Sequence, residues 1–217
     1  MKIVFLTTTS PNKPEGHAQL MRSLNHHGWG SHVIEHPWRG FGDKIIQTYN
    51  FLVAHPEIDK FVYSDAWDSF CLATPAEVLR KMKGYWNNVI FSAECACYPH
   101  AHLAEQYPNV KTPWKYLNGG SWICTNENFR KMVDRCATTV DENDQVYSTN
   151  LFLNHNQDGL IKLDYSCALF QTTAFEAPEY FTLGKGRILN NLTNQKPCFA
   201  HGNGHTPMEK IYQLIPN

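Results

Sequence analysis

The sequence has no long hydrophobic run, since no segment approaches the ~20 apolar residues that a membrane-spanning helix needs. It has no surplus of either charge, because 19 Lys and Arg oppose 20 Asp and Glu. We therefore expect neither a nucleic acid nor a membrane surface as its main partner. It also has no internal repeat or low-complexity linker, so the 217 residues predict a single domain spanning 1–217.

The cysteines lack the spacing of a zinc site. There are seven, an odd number, and Cys95 and Cys97 stand too close together for a zinc pair of the usual spacing. The apolar run at residues 1–6 is too short for the core of a signal peptide, and no small-residue cleavage site follows it. We therefore expect reduced thiols and a cytoplasmic protein.

Apolar runs alternate with helical periodicity over the first 93 residues. Strands are predicted at residues 2–7, 31–35, 61–64 and 89–93. Helices are predicted at 14–27, ending at Gly28, at 43–55, and after Thr74, which serves as N-cap to Pro75. This alternation predicts an α/β fold with a parallel sheet, helices on both faces and right-handed crossovers.

The alternation ends after residue 93. Residues 94–116 are rich in Cys, Tyr, Pro and His, and predict a long loop of the kind that often carries function. A glycine turn at 118–120 is expected to open into a strand, and helices are predicted at 128–137 and 145–153. The remaining residues mix short strands and turns.

Two carboxylates, three residues apart, follow the third predicted strand. Asp65 and Asp68 come directly after this apolar run, with Trp67 between them. Carboxylates at the carboxyl end of a strand in an open α/β sheet lie where ligands bind. Such a pair can hold a divalent cation, and the cation can hold a phosphate. The alternative is a capped turn, with Trp67 either stacked on a ligand or buried in the core.

His201 is the third candidate metal ligand. It follows the apolar residues 198–200 and precedes Gly202, Asn203 and Gly204, so the strand is expected to aim the imidazole outward. Two carboxylates and one imidazole form a mixed oxygen and nitrogen set that suits Mn²⁺. The alternative is an exposed histidine in a turn, because Asn-Gly is a common turn signal.

Other polar residues are placed where they can contact a ligand. Thr7 and Thr8 end the first strand and either contact a base or ribose or open a turn. Lys44 follows a glycine-rich turn and either contacts a phosphate or begins a helix in solvent; the P-loop spacing is absent. Asp144 either serves as N-cap or first-turn carboxylate of a helix or faces the reacting centre. Gly119 and its neighbours either expose backbone to a sugar or form a bend.

Seven short motifs occur in a fixed order: YSDAWD at 63–68, VIFSAE at 89–94, YLNGG at 116–120, DQ at 144–145, LDYSC at 163–167, FQT at 170–172 and HGNG at 201–204. In this order they resemble the glycosyltransferase domain of the procollagen lysyl hydroxylases, the multifunctional collagen-modifying enzymes. The resemblance runs from about residue 2 to residue 217. It implies a GT-A fold, with a Rossmann-like, mainly parallel mixed sheet flanked by helices. It also implies a UDP-sugar donor and Mn²⁺.

The resemblance also implies roles for particular residues. The D-x-x-D pattern with an aromatic residue inside it matches Asp65, Trp67 and Asp68, and the third metal ligand matches His201. The resemblance also implies three contacts to the donor. Thr7 and Thr8 would line the uridine site, and Lys44 would contact a donor phosphate. Asn203 and Gly204 would lie near the diphosphate.

Two motifs depart from the family pattern. The acidic run before Gln145 contains Asn143, so an amide replaces one carboxylate, and the Trp-Pro of the long loop is Tyr98-Pro99 here. Neither hydroxylase domains nor a secretory signal accompany the motifs. We therefore expect a free-standing transferase of the kind that microbes or viruses carry.

These observations predict a metal-dependent glycosyltransferase that moves glucose or galactose from UDP-glucose or UDP-galactose to a hydroxyl acceptor, such as hydroxylysine or another glycan. Breaking the sugar–phosphate bond builds negative charge on UDP, which a divalent cation stabilises. Asp144 is the candidate base for an inverting route. A retaining route would instead use a carboxylate or the leaving phosphate on the same face. The alternatives are a nucleotidyltransferase with a triphosphate donor and a non-catalytic UDP-sugar-binding module.

Overall fold

The computed structural model describes residues 2–12, 15–175 and 177–215. Its strands are β1 (Ile3–Thr9), β2 (Ser31–Glu35), β3 (Lys60–Ser64), β4 (Ser69–Cys71), β5 (Val89–Glu94), β6 (Tyr116–Thr125), β7 (Ile161–Leu163), β8 (Phe170–Thr172), β9 (Phe181–Gly184), β10 (Arg187–Asn190) and β11 (Phe199–His201). Its α-helices are α1 (Glu15–His26), α2 (Asp43–Ala54), α3 (Pro75–Lys81), α4 (Asn126–Val133), α5 (Asp144–Asn154) and α6 (Glu209–Tyr212). No helix in these described ranges is long and apolar enough to cross a membrane.

A six-stranded sheet in the order β2-β1-β3-β6-β5-β7 forms the centre of the molecule. β1 is parallel to β2 and β3, and β5 is parallel to β7. The predicted α/β class with a mainly parallel sheet is therefore confirmed. The sheet is mixed, as the resemblance implies, because β6 is antiparallel to both of its neighbours. The loop after β5 stays at the carboxyl edge of the sheet, so β6 begins at that edge and runs back.

Both faces of this sheet are covered, which explains why its strands appear in the sequence as nearly unbroken apolar runs. Alternate residues of β1 face opposite cores, with Val4 and Leu6 on one side and Ile3 and Phe5 on the other. The first core includes residues of α2, α4 and α5. The second includes residues of α1, α3 and a smaller sheet.

The smaller sheet has the order β4-β11-β8. β11 is antiparallel to β4, which places His201 opposite Ser69, and parallel to β8, which places His201 opposite Thr172. β4 has three residues and was missed by the sequence analysis, because so short a strand shows no periodicity. β4 begins directly after Asp68. This pairing therefore places His201 beside residues 65–68, which we call the acidic turn.

The helix ends follow local capping. Thr74 caps α3 as predicted, because its side chain accepts a hydrogen bond from the Glu77 amide, and Pro75 is the first helical residue. The predicted start of α4 at residue 128 is wrong by two residues, since Thr125 caps the helix and it begins at Asn126. For α1, the predicted start at Pro14 lies outside the described residues.

The predicted glycine turn at 118–120 is also wrong, because these residues lie within β6. The pairing with β5 shifts there: Phe91 pairs with Trp122, whereas the next residue, Ser92, pairs with Asn118. The intervening residues of β6 therefore bulge from the ladder, as strands often do beside functional sites. The bulge contains Gly120, whose carbonyl accepts a hydrogen bond from the amide of Asp65.

An ion pair connects α3 to the hairpin of β9 and β10. The Arg187 guanidinium donates hydrogen bonds to both carboxylate oxygens of Glu77, each at 2.9 Å. Lys81 lies 3.1 Å from the same carboxylate. The Arg187 hydrogen bonds, opposed by burial and helped by Lys81, lower the pKa of Glu77 to about 2.

We expect Glu77→Gln to reduce the acid sensitivity of the fold. Because the pKa of Glu77 falls from an ordinary 4.5 to about 2 on folding, its ionised form stabilises the protein above pH 4.5. This stabilisation, about 3 kcal/mol at most, is lost as the pH falls towards 2. Urea unfolding at pH 7, 5, 4 and 3 should show a shallower loss of stability in the variant than in the wild type.

Glu127→Gln is the matched control, because Glu127 is an exposed partner of Lys131 in an i,i+4 pair. It should keep the pH dependence of the wild type. If Glu77→Gln also keeps that dependence, the ion pair does not stabilise the fold.

Candidate active site

A cleft of about 570 Å³ opens at the carboxyl edge of the central sheet. The segments that follow β3, β5 and β11 line it, together with the start of β6 and the first turns of α2 and α5. The carboxyl edge of the strands is where open α/β sheets bind ligands. The cleft therefore places side chains from distant parts of the sequence around one space.

The structure brings the three predicted metal ligands together in this cleft. One ligand atom from each of Asp65, Asp68 and His201 lies within 4.8 Å of the others. The Nε2 atom of His201 is 3.3 Å from Asp68 Oδ1 and 3.9 Å from Asp65 Oδ2. Backbone hydrogen bonds hold the acidic turn in place, because the Gly202 amide donates to the Asp68 carbonyl at 2.7 Å.

Asn118 orients the imidazole of His201. The Asn118 Oδ1 atom accepts hydrogen bonds from the Gly120 amide at 3.1 Å and from His201 Nδ1 at 2.9 Å. Since an amide oxygen only accepts, the Nδ1 atom carries a proton in this contact. The Nε2 lone pair is then free to face the two carboxylates. This is the arrangement in which histidine binds a metal.

Glu94 supports Asn118 and was not assigned a role in the sequence analysis. Its side chain is buried and accepts hydrogen bonds from the side-chain amides of Asn118 (3.3 Å), Asn203 (2.7 Å) and Gln145. Burial raises the pKa of Glu94, and the three amide donors oppose that rise. The signal that could have found it is the one that found Asp65: a carboxylate at the end of a buried strand.

Lys44 is buried between two carboxylates. Its Nζ atom is 2.9 Å from Asp65 Oδ1 and also forms an ion pair with Asp144. Burial alone lowers the pKa of Lys44, but Asp144 and Asp65 raise it above its ordinary value. Lys44 therefore carries a positive charge beside the candidate metal ligands. Of the two sequence alternatives, the structure excludes a lysine in open solvent.

Asp144 is the first residue of α5, and Asn143 is its cap. The Asn143 side chain accepts hydrogen bonds from the amides of Gln145 and Val146 at 3.0 and 3.1 Å. The amide that departs from the family's acidic run therefore begins this helix. Asp144 lines the cleft, and its carboxylate forms an ion pair with Lys44, which also bonds Asp65.

The electrostatics of the three candidate ligands suit a divalent cation. Burial raises the pKa of Asp65, although Lys44 opposes the rise. For Asp68, burial raises the pKa and His201 lowers it, with a net decrease. For His201, burial lowers the pKa and Asp68 raises it, with a net increase. Two carboxylates facing one oriented imidazole lone pair fit the donor preference of Mn²⁺ and related cations.

The remaining predicted residues lie in different settings. Asn203 and Gly204 line the cleft, whereas Thr7, Thr8 and Trp67 are not part of its described lining. Thr7 is fully buried, and its hydroxyl donates to the Ser64 carbonyl at 2.7 Å. The Thr8 hydroxyl bonds the Tyr63 hydroxyl, and Trp67 is half exposed. Roles for these three residues in donor binding stay predictions.

The family described as the PLOD GT domain matches residues 1–214. The chain belongs to this family. The predicted resemblance to the glycosyltransferase domain of the procollagen lysyl hydroxylases is thereby confirmed, and it accounts for the order of the seven motifs along the chain.

Curated relatives of this chain include a viral protein and animal enzymes. The uncharacterized protein R699 of Acanthamoeba polyphaga mimivirus is 35% identical over 174 residues, which cover 79% of this chain and 37% of R699. The human multifunctional procollagen lysine hydroxylase and glycosyltransferase LH3 is 25% identical over 233 residues, 99% of this chain and 32% of LH3. The chain thus spans about a third of the length of these relatives.

A solved structure supports the fold. A glycosyltransferase involved in the glycosylation of the major capsid of PBCV-1 superposes with a TM-score of 0.57 at 13% identity, covering 98% of each chain. With the family match, this likeness confirms the GT-A type of α/β fold that the motifs predicted.

We expect Gly120→Ala to weaken metal binding. A Cβ atom at this position would lie 2.1 Å from Cε1 of His201, so either the β6 bulge or the imidazole must move. Displacing an oriented ligand should lower the affinity for Mn²⁺ by at least about tenfold. Isothermal titration with MnCl₂ measures this. Gly30→Ala is the control, because nothing lies within 4 Å of its added Cβ; equal affinity in both variants would contradict the close approach.

We expect Glu94→Gln to misplace His201 indirectly. Glutamine has one accepting oxygen, whereas Glu94 has two. One of the three side-chain amides that now donate to Glu94 would therefore face the NH₂ group of the glutamine. The expected result is a Mn²⁺ affinity lower by about 10- to 100-fold and a loss of about 1–3 kcal/mol in unfolding free energy. Metal titration and urea unfolding measure the two effects. Glu209→Gln, on an exposed residue of α6, is the control and should change neither the Mn²⁺ affinity nor the unfolding free energy. A wild-type Mn²⁺ affinity in Glu94→Gln would show that Asn118 orients His201 without its hydrogen bond to Glu94.

Proposed function

We propose that this domain transfers a hexose, glucose or galactose, from a UDP-sugar to a hydroxyl group of a peptide or glycan acceptor, with Mn²⁺ as cofactor. The observation that carries the proposal is the convergence of Asp65, Asp68 and His201 beside Lys44 at the carboxyl edge of the sheet. A cation held by this set and a buried lysine both favour a diphosphate.

Family membership supports glycosyl transfer as the reaction. LH3, named as a lysine hydroxylase and glycosyltransferase, aligns with almost the whole of this chain. The donor set of two carboxylates and one imidazole supports Mn²⁺ among the divalent cations. Because the site geometry fits both, we propose glycosyl transfer and Mn²⁺ dependence for this chain.

The residues of the cleft would stabilise the leaving group. A bound divalent cation supplies positive charge to the diphosphate as the sugar–phosphate bond breaks. Asp65, Asp68 and His201 would hold that cation, and Asn118 would keep the imidazole in the required tautomer. Lys44 adds a second positive charge. Because these groups are already oriented, they need little reorganisation during the reaction.

Asp144 is the candidate to accept the proton of the acceptor hydroxyl in an inverting route. It lines the cleft and is bound to Lys44. A donor phosphate that drew Lys44 away would release the Asp144 carboxylate to face the acceptor. Lys44 would then couple donor binding to the availability of the base.

We also propose that the protein acts in the cytoplasm. All seven of its cysteines are free thiols, which supports a reducing compartment. The single domain over residues 1–217 stays a prediction.

We expect Asp68→Ala to abolish Mn²⁺-dependent UDP release, a loss of at least about 100-fold, while the fold stays intact. Asp68 is a third exposed, and its side chain contacts His201 rather than the core. UDP release from UDP-glucose and UDP-galactose is measured with and without Mn²⁺, and circular dichroism checks folding. Asp134→Ala, on a surface residue, should keep wild-type activity; full activity in Asp68→Ala would overturn the proposal.

Thermal-shift titration separates the proposed donor from the alternatives. A ligand that binds only the native state raises the melting temperature. The proposal expects UDP-sugars to stabilise the protein in a Mn²⁺-dependent manner. Preference for UTP would favour a nucleotidyltransferase, and binding of UDP-sugars without hydrolysis or transfer would favour a non-catalytic binding module.

A further inference from the structure

Three buried hydroxyl groups meet beneath the acidic turn. The Oγ atom of Ser64 lies 2.6 Å from Ser69 Oγ and 2.5 Å from Ser121 Oγ, so it is hydrogen-bonded to both. All three residues are fully buried, and none belongs to the described lining of the cleft. We call these three residues the serine clamp.

The serine clamp occupies positions where apolar side chains would extend the second core. Val62, Cys71 and Ile123 belong to that core, and each lies two residues from a clamp serine on its own strand. Side chains two residues apart in a strand face the same side of the sheet, so the three hydroxyls continue the core towards the cleft. A buried hydroxyl costs more free energy than an apolar group of similar size, and a hydrogen bond offsets only part of that cost. Packing alone would therefore favour apolar residues here.

The serine clamp connects the two sheets at the point where the candidate metal ligands meet. Ser64 ends β3 and lies opposite Ser121 of β6, in the central sheet. Ser69 begins β4 and lies opposite His201 of β11, in the smaller sheet. The hydrogen bond between the Ser64 and Ser69 side chains therefore fixes one sheet relative to the other.

Each candidate metal ligand is adjacent to a clamp residue. Asp65 directly follows Ser64 in the chain. Asp68 directly precedes Ser69, and His201 lies opposite that serine on the neighbouring strand. One side-chain hydrogen bond thus joins the two ends of the acidic turn. A satisfied buried network of this kind makes the local structure rigid, so the clamp restricts the spacing of the ligand atoms.

Ligand spacing and flexibility determine which divalent cation a site prefers. Ca²⁺ accepts longer and more variable ligand distances than smaller divalent cations do. A turn that is free to widen would therefore lose affinity for Mn²⁺ while it keeps its affinity for Ca²⁺.

We propose, on the basis of the proposed function, that the serine clamp positions the three metal ligands and so sets the preference of the site for Mn²⁺ over the larger Ca²⁺. The serines are positioning residues, because they act through Asp65, Asp68 and His201 and do not contact the cation. This role accounts for three hydroxyls in a place where apolar groups would pack at lower cost.

Two variants of the full chain separate ligand positioning from fold stability. Ser64→Ala removes both hydrogen bonds of the clamp and leaves two buried hydroxyls without that partner. The triple variant, in which Ser64, Ser69 and Ser121 are all alanine, leaves no hydroxyl to satisfy. Replacing all partners of a buried hydrogen bond by apolar groups is nearly neutral for stability, whereas removing one partner is not.

Ser23→Ala is the matched control. Ser23 is also fully buried, and its hydroxyl donates to the Leu20 carbonyl at 2.7 Å and accepts from the Cys71 amide at 3.0 Å. Cys71 is at the opposite end of β4 from the acidic turn. Isothermal titration with MnCl₂ and with CaCl₂ gives the two cation affinities without any sugar donor, and thermal melting gives the stability.

Ser64→Ala and the triple variant should both bind Mn²⁺ at least about tenfold more weakly than the wild type. Their Ca²⁺ affinities should stay within about twofold of the wild-type value. The triple variant should melt at a higher temperature than Ser64→Ala, because it contains no orphaned clamp hydroxyl. Ser23→Ala should melt below the wild type and keep both cation affinities. If Ser64→Ala does not fold, the triple variant alone decides the outcome.

The inference is overturned by a wild-type Mn²⁺ affinity in the triple variant, since only the orphaned hydroxyls of Ser64→Ala would then disturb the site. Equal losses of Mn²⁺ and Ca²⁺ affinity in the clamp variants would also overturn it, as would a Ser23→Ala variant that loses as much Mn²⁺ affinity as they do. A wild type that binds Mn²⁺ but neither hydrolyses a UDP-sugar nor transfers from it would overturn the proposed function and leave the role of the clamp in force. A wild type that binds no Mn²⁺ would overturn both.

Discussion

The antiparallel pairing of β11 with β4 is the constraint on which the candidate site depends. It places His201 opposite Ser69, next to the acidic turn, and the Gly202 amide completes the contact by bonding the Asp68 carbonyl. About 130 residues of chain separate these segments in the sequence. Backbone hydrogen bonds bring them together, and the Asn118 side chain then orients the imidazole. Gly120 lets the His201 imidazole lie close to β6, because a Cβ atom at this position would lie 2.1 Å from His201 Cε1.

Charge compensation is the second organising feature of the cleft. Asp65, Asp68, Asp144 and Glu94 gather at one edge of the sheet. Burial disfavours the ionised forms of Asp65, Asp68 and Glu94. Lys44 compensates two of them through ion pairs, and side-chain amides satisfy Glu94. A divalent cation would complete this balance at the acidic turn. The amides of Asn118 and Asn203 both bond Glu94, so one hydrogen-bond network connects His201 to the backbone of residues 173 and 174.

Much of the fold could be predicted because burial on both faces leaves a strong signal in the sequence. The strands of the central sheet are apolar throughout, and the caps of α3 follow local chemistry. β4 and the direction of β6 could not be predicted, since a three-residue strand has no period and strand direction depends on where the preceding loop ends. The glycines of β6 resemble a turn locally, but their pairing with β5 makes them a bulge.

The sequence by itself determined the α/β class, the family and the identity of the candidate metal ligands, because apolar runs and ordered motifs record them directly. The tertiary structure alone decided how those residues act together. It showed that Glu94 supports His201 through Asn118, that Asn143 caps α5, and that Lys44 joins Asp65 to Asp144. Such contacts join residues far apart in the chain, so their energies depend on distances and burial that exist only after folding.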